Sequence, residues 1–578
     1  MSEQSLLSKS FFPYLTLLLL LGHFSCHPPS PTLERALPDR HSPHDFTGKK
    51  GMVVAAHPEA VAAGVDTLKS GGNAVDAAIA TAFALNAAEP FASGIGGGGF
   101  MVVFLAAENR TTVIDFREKA PSKASPDMFR DKDRIQETWR KSHGLAVAVP
   151  GALAGWAYAL EKYGTMDMAA VAARGIQIAE QGFPVSATFS QINKDEYERI
   201  LGNAGESTAY LCDGFPYEPG DIYRNPDLAK TFRRIVSDGW RDFYEGEIAG
   251  SIVAAIAHSG GIMSREDLSR YAPIERPPLK GTYKDYTVYT IPPPGSGGLH
   301  IIQLLNILAN WPVSKWGSNS TRTIHQMSEA FRFVFADRSR FLGDPDYIPI
   351  PVKELISTDY AEGIANSILP DRCLSSYPHG IFDKKQIEKE NTTHLCVIDR
   401  EGNIVSLTQS INDFFGSGIV PEGCGFLLNN EMADFSLEPD SVNAPGPDKR
   451  PVSSMAPLIL FYKDRPFLVL GSPGGTRIFT SLTQIIINIV EFGMSLDEAI
   501  EAPRFFSYSS AGMAKSLFIE SRIPEQTRRA LEKLGHTIEV RDAFDKYFGG
   551  AQGILIDRNK NIILGGADSR RDGSGEGY

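Results

Sequence analysis

Residues 388–412, with the sequence EKENTTHLCVIDREGNIVSLTQSIN, predict the central hairpin of the fold. The apolar run Leu395–Ile398 and the alternating run Ile404–Thr408 are typical of two strands that a tight turn connects. Residues 384–391 are strongly charged and poor in apolar side chains, which indicates an exposed segment. A polar segment therefore meets a core strand at Asn391–Thr392. This junction is either an ordinary transition from loop to strand or a place where the chain is cut.

The composition excludes several classes of protein. The chain has 578 residues and a net charge of −12 without a basic patch, so nucleic acid is not an expected partner. Cys212, Cys373, Cys396 and Cys424 show no CxxC or His-linked spacing, so neither zinc nor another metal is expected. Cys212 and Cys373 are one candidate disulfide, but four cysteines allow three pairings and the sequence does not choose among them. Cys396, inside an apolar strand, is expected to be a small core residue.

The N-terminus predicts export to the periplasm or the cell surface. A lysine precedes an apolar stretch that is too short to span a bilayer but has the length of a signal h-region. We therefore interpret residues 1–26 as a signal peptide and the proline-rich residues 27–48 as a linker. Cleavage near Ser25 is one interpretation. The other is lipid attachment and a membrane tether at Cys26, although His23-Phe24-Ser25 matches poorly the small residues that usually precede such a cysteine.

Helices and antiparallel hairpins alternate along the chain, which predicts a layered α+β enzyme in which helices cover stacked sheets. The glycines of residues 94–99 are not a phosphate-binding loop, because no Lys-Ser/Thr follows them and the next element is a strand. They indicate close backbone packing or a substrate that passes very near. The charged helix Ile324–Phe341 is interpreted as a packing helix with internal salt bridges, and Phe426–Leu428 as a short strand.

Four short motifs contain the polar residues that stand out: residues 115–118 (DFRE), 428–435 (LNNEMADF), 450–455 (RPVSSM) and 471–475 (GSPGG). No Gly-x-Ser-x-Gly elbow and no HExxH pattern is present, so a serine hydrolase and a zinc protease are not expected. Alone, each motif has a structural interpretation as a surface ion pair, a turn or a strand edge. In this order, and together with residues 51–99 and the ending GADSRRDG at 566–573, they resemble the γ-glutamyltransferase (γ-glutamyltranspeptidase) family over nearly the full length.

The resemblance implies an αββα four-layer sandwich of the N-terminal-nucleophile hydrolase type, with an additional helical portion in the large chain. It also implies self-cleavage at Asn391–Thr392, which would give a heterodimer of a large subunit (49–391) and a small catalytic subunit (392–578). A freed threonine holds nucleophile and base together, since an α-amine has a pKa of about 7.7–8.0. The implied substrates are γ-glutamyl compounds such as glutathione. The acyl group would pass through a Thr392 ester to water or to an amino acid or peptide acceptor, without a cofactor.

The resemblance further implies a role for each polar residue of the motifs. Arg117, with Ser453 and Ser454, would bind the substrate α-carboxylate, for which a planar guanidinium is well suited. The α-ammonium would be held by acceptors from three residues, Asn412, Glu431 and Asp434. The oxyanion would receive backbone N–H groups from Gly474 and Gly475.

Three departures from the family pattern affect these expectations. Ser410 stands where the family has a second threonine, so the hydroxyl remains and activity is expected to persist. Ala433 replaces the first acidic residue of Met-Asp-Asp-Phe. Residues 436–449 are short and lack a tyrosine, where many members have a longer lid. A more open site would admit bulkier substrates such as γ-linked polyglutamate.

Two alternatives remain at this point. One is a sister acylase on the same scaffold that acts on the side-chain amides of β-lactams. The set of head-group residues argues against it. The other is a non-catalytic relative that is retained as a binding protein, which would persist as an uncut chain.

Overall fold

The computed structural model describes residues 45–132, 134–377, 390–508 and 515–578. The predicted signal peptide, Cys26, residues 27–44 of the predicted linker and most of the polar segment before Asn391 lie outside these residues. The last four residues of the predicted linker, Asp45–Gly48, form an edge strand instead, because Phe46 packs into the core between the two sheets. Within the described ranges, no helix has the length and apolar character needed to cross a membrane.

The strands are β1 (Asp45–Gly48), β2 (Met52–Ala55), β3 (Gly98–Leu105), β4 (Arg110–Phe116), β5 (Arg130–Asp131), β6 (Arg134–Ile135), β7 (Phe183–Pro184), β8 (Ile222–Tyr223), β9 (Ile274–Arg276), β10 (Leu279–Tyr283), β11 (Tyr286–Thr290), β12 (Glu390–Ile398), β13 (Ile404–Asp413), β14 (Leu458–Tyr462), β15 (Arg465–Gly471), β16 (Phe505–Ser507), β17 (Ser516–Glu520), β18 (Thr537–Arg541), β19 (Gln552–Asp557), β20 (Ile562–Ala567) and β21 (Ser574–Gly577).

The helices are α1 (Pro58–Lys69), α2 (Ala74–Ala88), α3 (Glu137–Lys141), α4 (Ala152–Tyr163), α5 (Met168–Gln181), α6 (Ala187–Asp195), α7 (Tyr197–Ala204), α8 (Pro226–Asp238), α9 (Asp242–Glu245), α10 (Glu247–His258), α11 (Arg265–Ser269), α12 (Ser296–Leu308), α13 (Thr321–Phe341), α14 (Val352–Leu355), α15 (Thr358–Ser367), α16 (Ile478–Val490), α17 (Leu496–Glu501) and α18 (Glu525–Lys533).

Two seven-stranded antiparallel sheets form the middle of the molecule. Their strand orders are β1-β20-β19-β15-β14-β11-β10 and β21-β2-β12-β13-β3-β4-β9. Apolar side chains from both sheets, Met52, Phe100, Cys396, Ile459 and Val469 among them, fill the space between the sheets. Helices α1, α2, α4 and α5 cover the sheet that contains β12, and α12, α13 and α16 cover the other. The predicted αββα order of layers is therefore confirmed, and helices α3 and α6 to α11 are the additional helical portion.

The central hairpin extends further than the sequence predicts. Strand β12 begins at Glu390 rather than at Leu395, so it runs through the Asn391–Thr392 bond. Its pairing with β13 shifts at this point: Asn391 is opposite Asn412, whereas Thr393 is opposite Gln409. Ser410 and Ile411 of β13 therefore lie opposite the single residue Thr392, and this bulge in β13 re-aims side chains relative to a regular ladder.

The glycine-rich segment serves close packing, as one of its two interpretations proposed. A Cβ added to Gly97 would lie 1.9 Å from the carbonyl oxygen of Ser410, and one added to Gly99 would lie 2.2 Å from that of Thr408. Strand β3 can pair with β13 at this distance only because these positions have no side chain. The packing fixes the backbone of Ser410, one of the two bulged residues that lie opposite Thr392.

Three further sequence predictions concern helix α13, the segment Phe426–Leu428 and the cysteines. Helix α13 and its internal salt bridge are confirmed: Glu329 and Arg332 form an ion pair, and both side chains are fully buried. The predicted strand Phe426–Leu428 is wrong. The Leu428 amide donates to Ile419 and its carbonyl accepts from Ser417, so its hydrogen bonds close a loop instead of a sheet. Cys396 is buried as predicted, and all four described cysteines are free thiols.

Candidate active site

Thr392 lies at the bottom of a small pocket, and 3% of its surface is exposed. The lining contains nine of the ten predicted site residues and two apolar neighbours: Arg117, Thr392, Ser410, Asn412, Glu431, Asp434, Ser453, Ser454, Gly475, Met455 and Ile478. These residues come from the end of β4, from strands β12 and β13, from the segments around two 3₁₀ turns (Glu431–Asp434 and Gly475–Arg477) and from the loop before β14. The tertiary structure therefore brings together motifs that are up to 358 residues apart, from Arg117 to Gly475.

Ser410 contacts both sides of the bond that the sequence predicts to be cut. Its Oγ lies 2.5 Å from the carbonyl oxygen of Asn391, to which the hydroxyl donates, and 3.5 Å from Oγ1 of Thr392. The same Oγ accepts from the backbone N–H of Asn412 at 2.8 Å. Because the N–H fixes one lone pair of the oxygen, the hydroxyl proton is directed at the Asn391 carbonyl.

A buried ion pair lies behind the nucleophile. Arg571 donates to the carbonyl of Thr392 and to Oδ1 of Asn391, at 2.9 Å each, and it lies 3.7 Å from Glu89. Glu89 also accepts from the hydroxyl of Thr393 at 2.5 Å. Burial raises the pKa of Glu89 to about 7, although Arg571 and Thr393 oppose this shift. Arg571 is in the motif that carries the family resemblance, but no sequence argument gives it or Glu89 a role, since their contact depends on the tertiary fold.

Arg117 lies between three acidic side chains. It forms ion pairs with Glu431 at 2.7 Å, with Glu118 at 3.3 Å, and with Asp434. Its Nε also donates to the carbonyl of Pro451 at 3.2 Å. Burial alone lowers the pKa of Arg117, but the three carboxylates raise it by more, so the guanidinium is charged.

Two of these carboxyl groups resist ionisation. Burial raises the pKa of Glu118 to about 7 against the opposing effect of Arg117. Burial also raises the pKa of Glu431 well above its usual value, and the charges of Glu118 and Asp434 add to this shift. The cluster therefore holds more acidic groups than its single cation neutralises, and an additional positive group would be stabilised there.

Ser453 and Ser454 lie in the loop before β14, beside the start of α12. The amide of Ser296 donates to the Ser453 carbonyl at 2.6 Å and its hydroxyl donates to the same oxygen at 2.8 Å. Arg338 of α13 donates to Oγ of Ser454 and to Oγ of Ser296, at 3.2 Å each. The sequence predicts only a salt bridge within a packing helix for Arg338 and does not indicate this contact.

Gly474 and Gly475 form the turn that leads into α16. Their φ angles are +127° and +54°, and a Cβ on Gly474 would approach the Cα of Gly549 to 3.1 Å. Among the described residues, neither backbone N–H donates to a protein acceptor. Only Gly475 lines the pocket, and Gly474 lies immediately beside it in the chain.

His394 belongs to the core rather than to the pocket. Nδ1 of His394 lies 2.8 Å from the hydroxyl of Thr408, and Nε2 lies 3.1 Å from the thiol of Cys396. Burial lowers the pKa of His394 to about 3, so the ring is neutral at ordinary pH. The histidine of the Thr-Thr-His sequence therefore packs between the sheets and is not a base for Thr392.

One group of residues has the composition of a metal site: His325, Glu329, Cys373 and His536, whose ligand-type atoms lie within 4.8 Å of one another. Nε2 of His325 lies 2.8 Å from the carbonyl of Leu369, which can only accept, so Nδ1 of His325 is left to accept from Nε2 of His536 at 2.8 Å. Arg332 lies 3.2 Å from the remaining nitrogen of His536. The ring nitrogens are thus fully used by protein partners, and a guanidinium already supplies the positive charge of this group.

Comparison with known proteins agrees with this geometry. The family model described as gamma-glutamyltranspeptidase matches residues 60–578. The chain belongs to the γ-glutamyltranspeptidase family. Among relatives of this family, the glutathione hydrolase proenzyme of Bacillus subtilis (strain 168) is 39% identical over 546 residues, which cover 92% of each chain.

Solved structures show the same fold. Cephalosporin acylase from Bacillus halodurans superposes with a TM-score of 0.83 and 30% identity over 92% of this chain and 97% of that one. The γ-glutamyltranspeptidase of Helicobacter pylori superposes with a TM-score of 0.55 and 37% identity, over 57% of this chain and 96% of that chain. The fold is therefore shared by γ-glutamyltranspeptidases and by an acylase, and the pocket residues must distinguish between the two activities.

Proposed function

We propose that the chain is a self-cleaving γ-glutamyltransferase and glutathione hydrolase. The observation that supports this function most directly is one pocket that contains a threonine nucleophile, a guanidinium, two serine hydroxyls and a cluster of carboxylates. A γ-glutamyl donor presents a carbonyl, an α-carboxylate and an α-ammonium. The pocket offers a chemical partner for each.

Self-cleavage begins with the attack of Thr392 Oγ1 on the carbonyl carbon of Asn391. The carbonyl oxygen becomes an oxyanion, which the hydroxyl of Ser410 stabilises by a hydrogen bond; the two oxygens already lie 2.5 Å apart. The C–N bond then breaks, the nitrogen takes the proton that Oγ1 gives up, and an ester joins Asn391 to Thr392. Water hydrolyses the ester and leaves a carboxylate on Asn391 and a free amine on Thr392.

In turnover, the free amine of Thr392 is the base. Its neutral form takes the proton of Oγ1 while Oγ1 attacks the γ-carbonyl carbon of the donor. The N–H groups of Gly474 and Gly475 stabilise the oxyanion, and one such donor contributes about 3 kcal/mol to the transition state. The leaving amine takes the proton, and water or an acceptor amine then cleaves the γ-glutamyl ester.

The donor head group exchanges partners with the acidic cluster. Its α-carboxylate binds the guanidinium of Arg117 and the hydroxyls of Ser453 and Ser454. Its α-ammonium binds the carboxylates of Glu431 and Asp434. These two carboxylates pair with Arg117 in the free pocket. Binding therefore replaces buried ion pairs by others of the same kind, which keeps every charge compensated. Asn412 adds an amide side chain at the pocket wall.

Acylase activity on β-lactam side chains is the second candidate, because a cephalosporin acylase has the same fold. A glutaryl side chain has no α-ammonium, so the buried Glu431 and the half-buried Asp434 would lack a cationic partner. Turnover of γ-glutamyl-p-nitroanilide compared with glutaryl-p-nitroanilide distinguishes the two functions. The short segment 436–449 is the basis for including bulky γ-linked polyglutamate among the donors to be tried.

The proposal includes the two chains and their location. A cut at Asn391–Thr392 gives a large subunit, residues 49–391, and a small subunit, residues 392–578, which remain together as a heterodimer. Residues 1–26 direct export to the periplasm or the cell surface. Cys26 is the candidate point of membrane attachment.

Electrophoresis and N-terminal sequencing test the proposal. The purified chain is expected to give two bands, the smaller one beginning Thr-Thr-His-Leu-Cys and containing about a third of the residues. The variant Thr392→Ala is expected to remain a single inactive chain. If the wild-type protein also stays uncut and does not turn over γ-glutamyl-p-nitroanilide, the proposed activity is wrong and a binding protein is the remaining interpretation.

A further inference from the structure

Arg338 connects helix α13 to the two serines of the pocket. Its Nε donates to Ser296 Oγ and one terminal nitrogen donates to Ser454 Oγ, at 3.2 Å each. Ser296 in turn donates from both its amide and its hydroxyl to the Ser453 carbonyl. The Arg338 side chain is buried, with 6% of the residue exposed. Arg338 therefore contacts both Ser296, which holds the Ser453 carbonyl, and the hydroxyl of Ser454.

The direction of each hydrogen bond determines what the serines can offer. A serine hydroxyl has one donor and two acceptor sites, whereas a guanidinium can only donate. Because Oγ of Ser454 accepts from Arg338, its own proton is directed to another acceptor. Ser454 lines the pocket, so an anionic group bound in the pocket can accept this proton.

We propose that Arg338 is a positioning residue for the α-carboxylate of the donor. It orients the hydroxyl proton of Ser454 toward the carboxylate and places a second buried positive charge behind the serine pair. A cation that donates to a hydroxyl makes this hydroxyl a stronger donor to an anion. The inference rests on the proposed function and deepens it, since Arg117 alone was expected to supply the positive charge.

The surroundings of Arg338 agree with this role. His300 is fully buried nearby, and burial together with the charge of Arg338 lowers the pKa of His300 to about 3. His300 is therefore neutral. Asp337, the neighbour of Arg338 in the chain, is bound by Gln303 at 2.5 Å and by Tyr360 at 2.9 Å.

The test compares ligands with and without an α-carboxylate on the mature enzyme. The variant Arg338→Gln is expected to raise KM for γ-glutamyl-p-nitroanilide about tenfold to hundredfold, the range for loss of a charge-assisted hydrogen bond, with a smaller change in kcat. The inhibition constant of L-glutamate should rise by the same factor. That of 4-aminobutanoate, which is glutamate without its α-carboxylate, should change less than about twofold.

Further variants separate positioning from folding. Arg338→Lys keeps the charge but presents one ammonium to two hydroxyls, so an intermediate rise in KM is expected. Arg340→Gln removes an exposed arginine from the same helix and should change nothing. In a Ser454→Ala background, Arg338→Gln should have little additional effect on KM.

The outcomes are distinguishable. Equal losses for L-glutamate and 4-aminobutanoate would mean that Arg338 only supports the fold, and wild-type KM in Arg338→Gln would also overturn the inference. If Arg338→Gln is not processed, Arg338→Lys alone decides between these outcomes. Failure of the wild-type enzyme to use γ-glutamyl-p-nitroanilide would instead overturn the proposed function itself.

Discussion

Replacing Ser410 by alanine should slow self-cleavage by two to three orders of magnitude. Its hydroxyl lies 2.5 Å from the Asn391 carbonyl, and 2% of Ser410 is exposed, so water cannot take its place. Loss of one oxyanion donor costs about 2.7–4 kcal/mol in the transition state, which corresponds to about 10²–10³-fold in rate. The variant also leaves the Asn412 amide without its acceptor at 2.8 Å, which disturbs the bulge itself.

The assay is cell-free synthesis with labelled methionine, followed by electrophoresis of samples taken over time. Ser410→Thr keeps the hydroxyl and should cleave within a few-fold of the wild-type rate. The matched control is Ser406→Ala on the same strand, because the buried hydroxyl of Ser406 contacts Leu470, away from the cut. If Ser410→Ala is cleaved as fast as Ser406→Ala, Ser410 does not stabilise the oxyanion and this account of maturation is refuted.

Three other variants give equally definite expectations. Gly97→Ala places a Cβ 1.9 Å from the Ser410 carbonyl, so it should prevent the correct pairing of β3 with β13 and yield little processed protein by electrophoresis. Asp434→Asn removes a charged acceptor for the α-ammonium and should raise KM for γ-glutamyl-p-nitroanilide about tenfold to hundredfold, whereas an unchanged KM would contradict this role. Glu89→Gln removes a carboxyl group whose pKa is raised from 4.5 to about 7 in the folded state. Since Glu89 contributes stability below pH 4.5 that is lost as the pH rises toward 7, the unfolding free energy of Glu89→Gln relative to wild type should increase over this interval by on the order of 3 kcal/mol in denaturant titrations. A difference that stays constant with pH would contradict the raised pKa.

Local sequence signals were sufficient for most elements of the fold. Strand β12 ends at Ile398 and strand β13 begins at Ile404, as the sequence predicts, because the polar turn residues between them interrupt the apolar runs. Phe426–Leu428 was misassigned because a short buried apolar run can satisfy its backbone in a loop as well as in a sheet. The start of β12 was missed because Asn391–His394 are polar, although the fold buries them.

The site was predictable where its residues belong to short motifs. The residues missed were Glu89, Arg571, Ser296 and Arg338, and each of them acts through another residue rather than on the pocket directly. An arginine on a helix that also contains acidic residues favours the interpretation as an ion pair. Only the crossing of α13 behind the loop of Ser454 shows that the Arg338 guanidinium contacts a hydroxyl of the pocket.

Both large sheets contain strands from before and from after Thr392. In one sheet β12, β13 and β21 pair with β2 and β3, and in the other β14 and β20 pair with β11 and β1. A cut at Asn391–Thr392 would thus divide each sheet between two polypeptides without separating them. Unfolding of the uncut chain is unimolecular, whereas recovery of the cut form from denaturant requires two chains to meet, so its yield should fall on dilution. With such a cut, the peptide bond at the nucleophile would serve assembly and be lost afterwards, and the cut form would retain its structure through slow dissociation rather than through repeated folding.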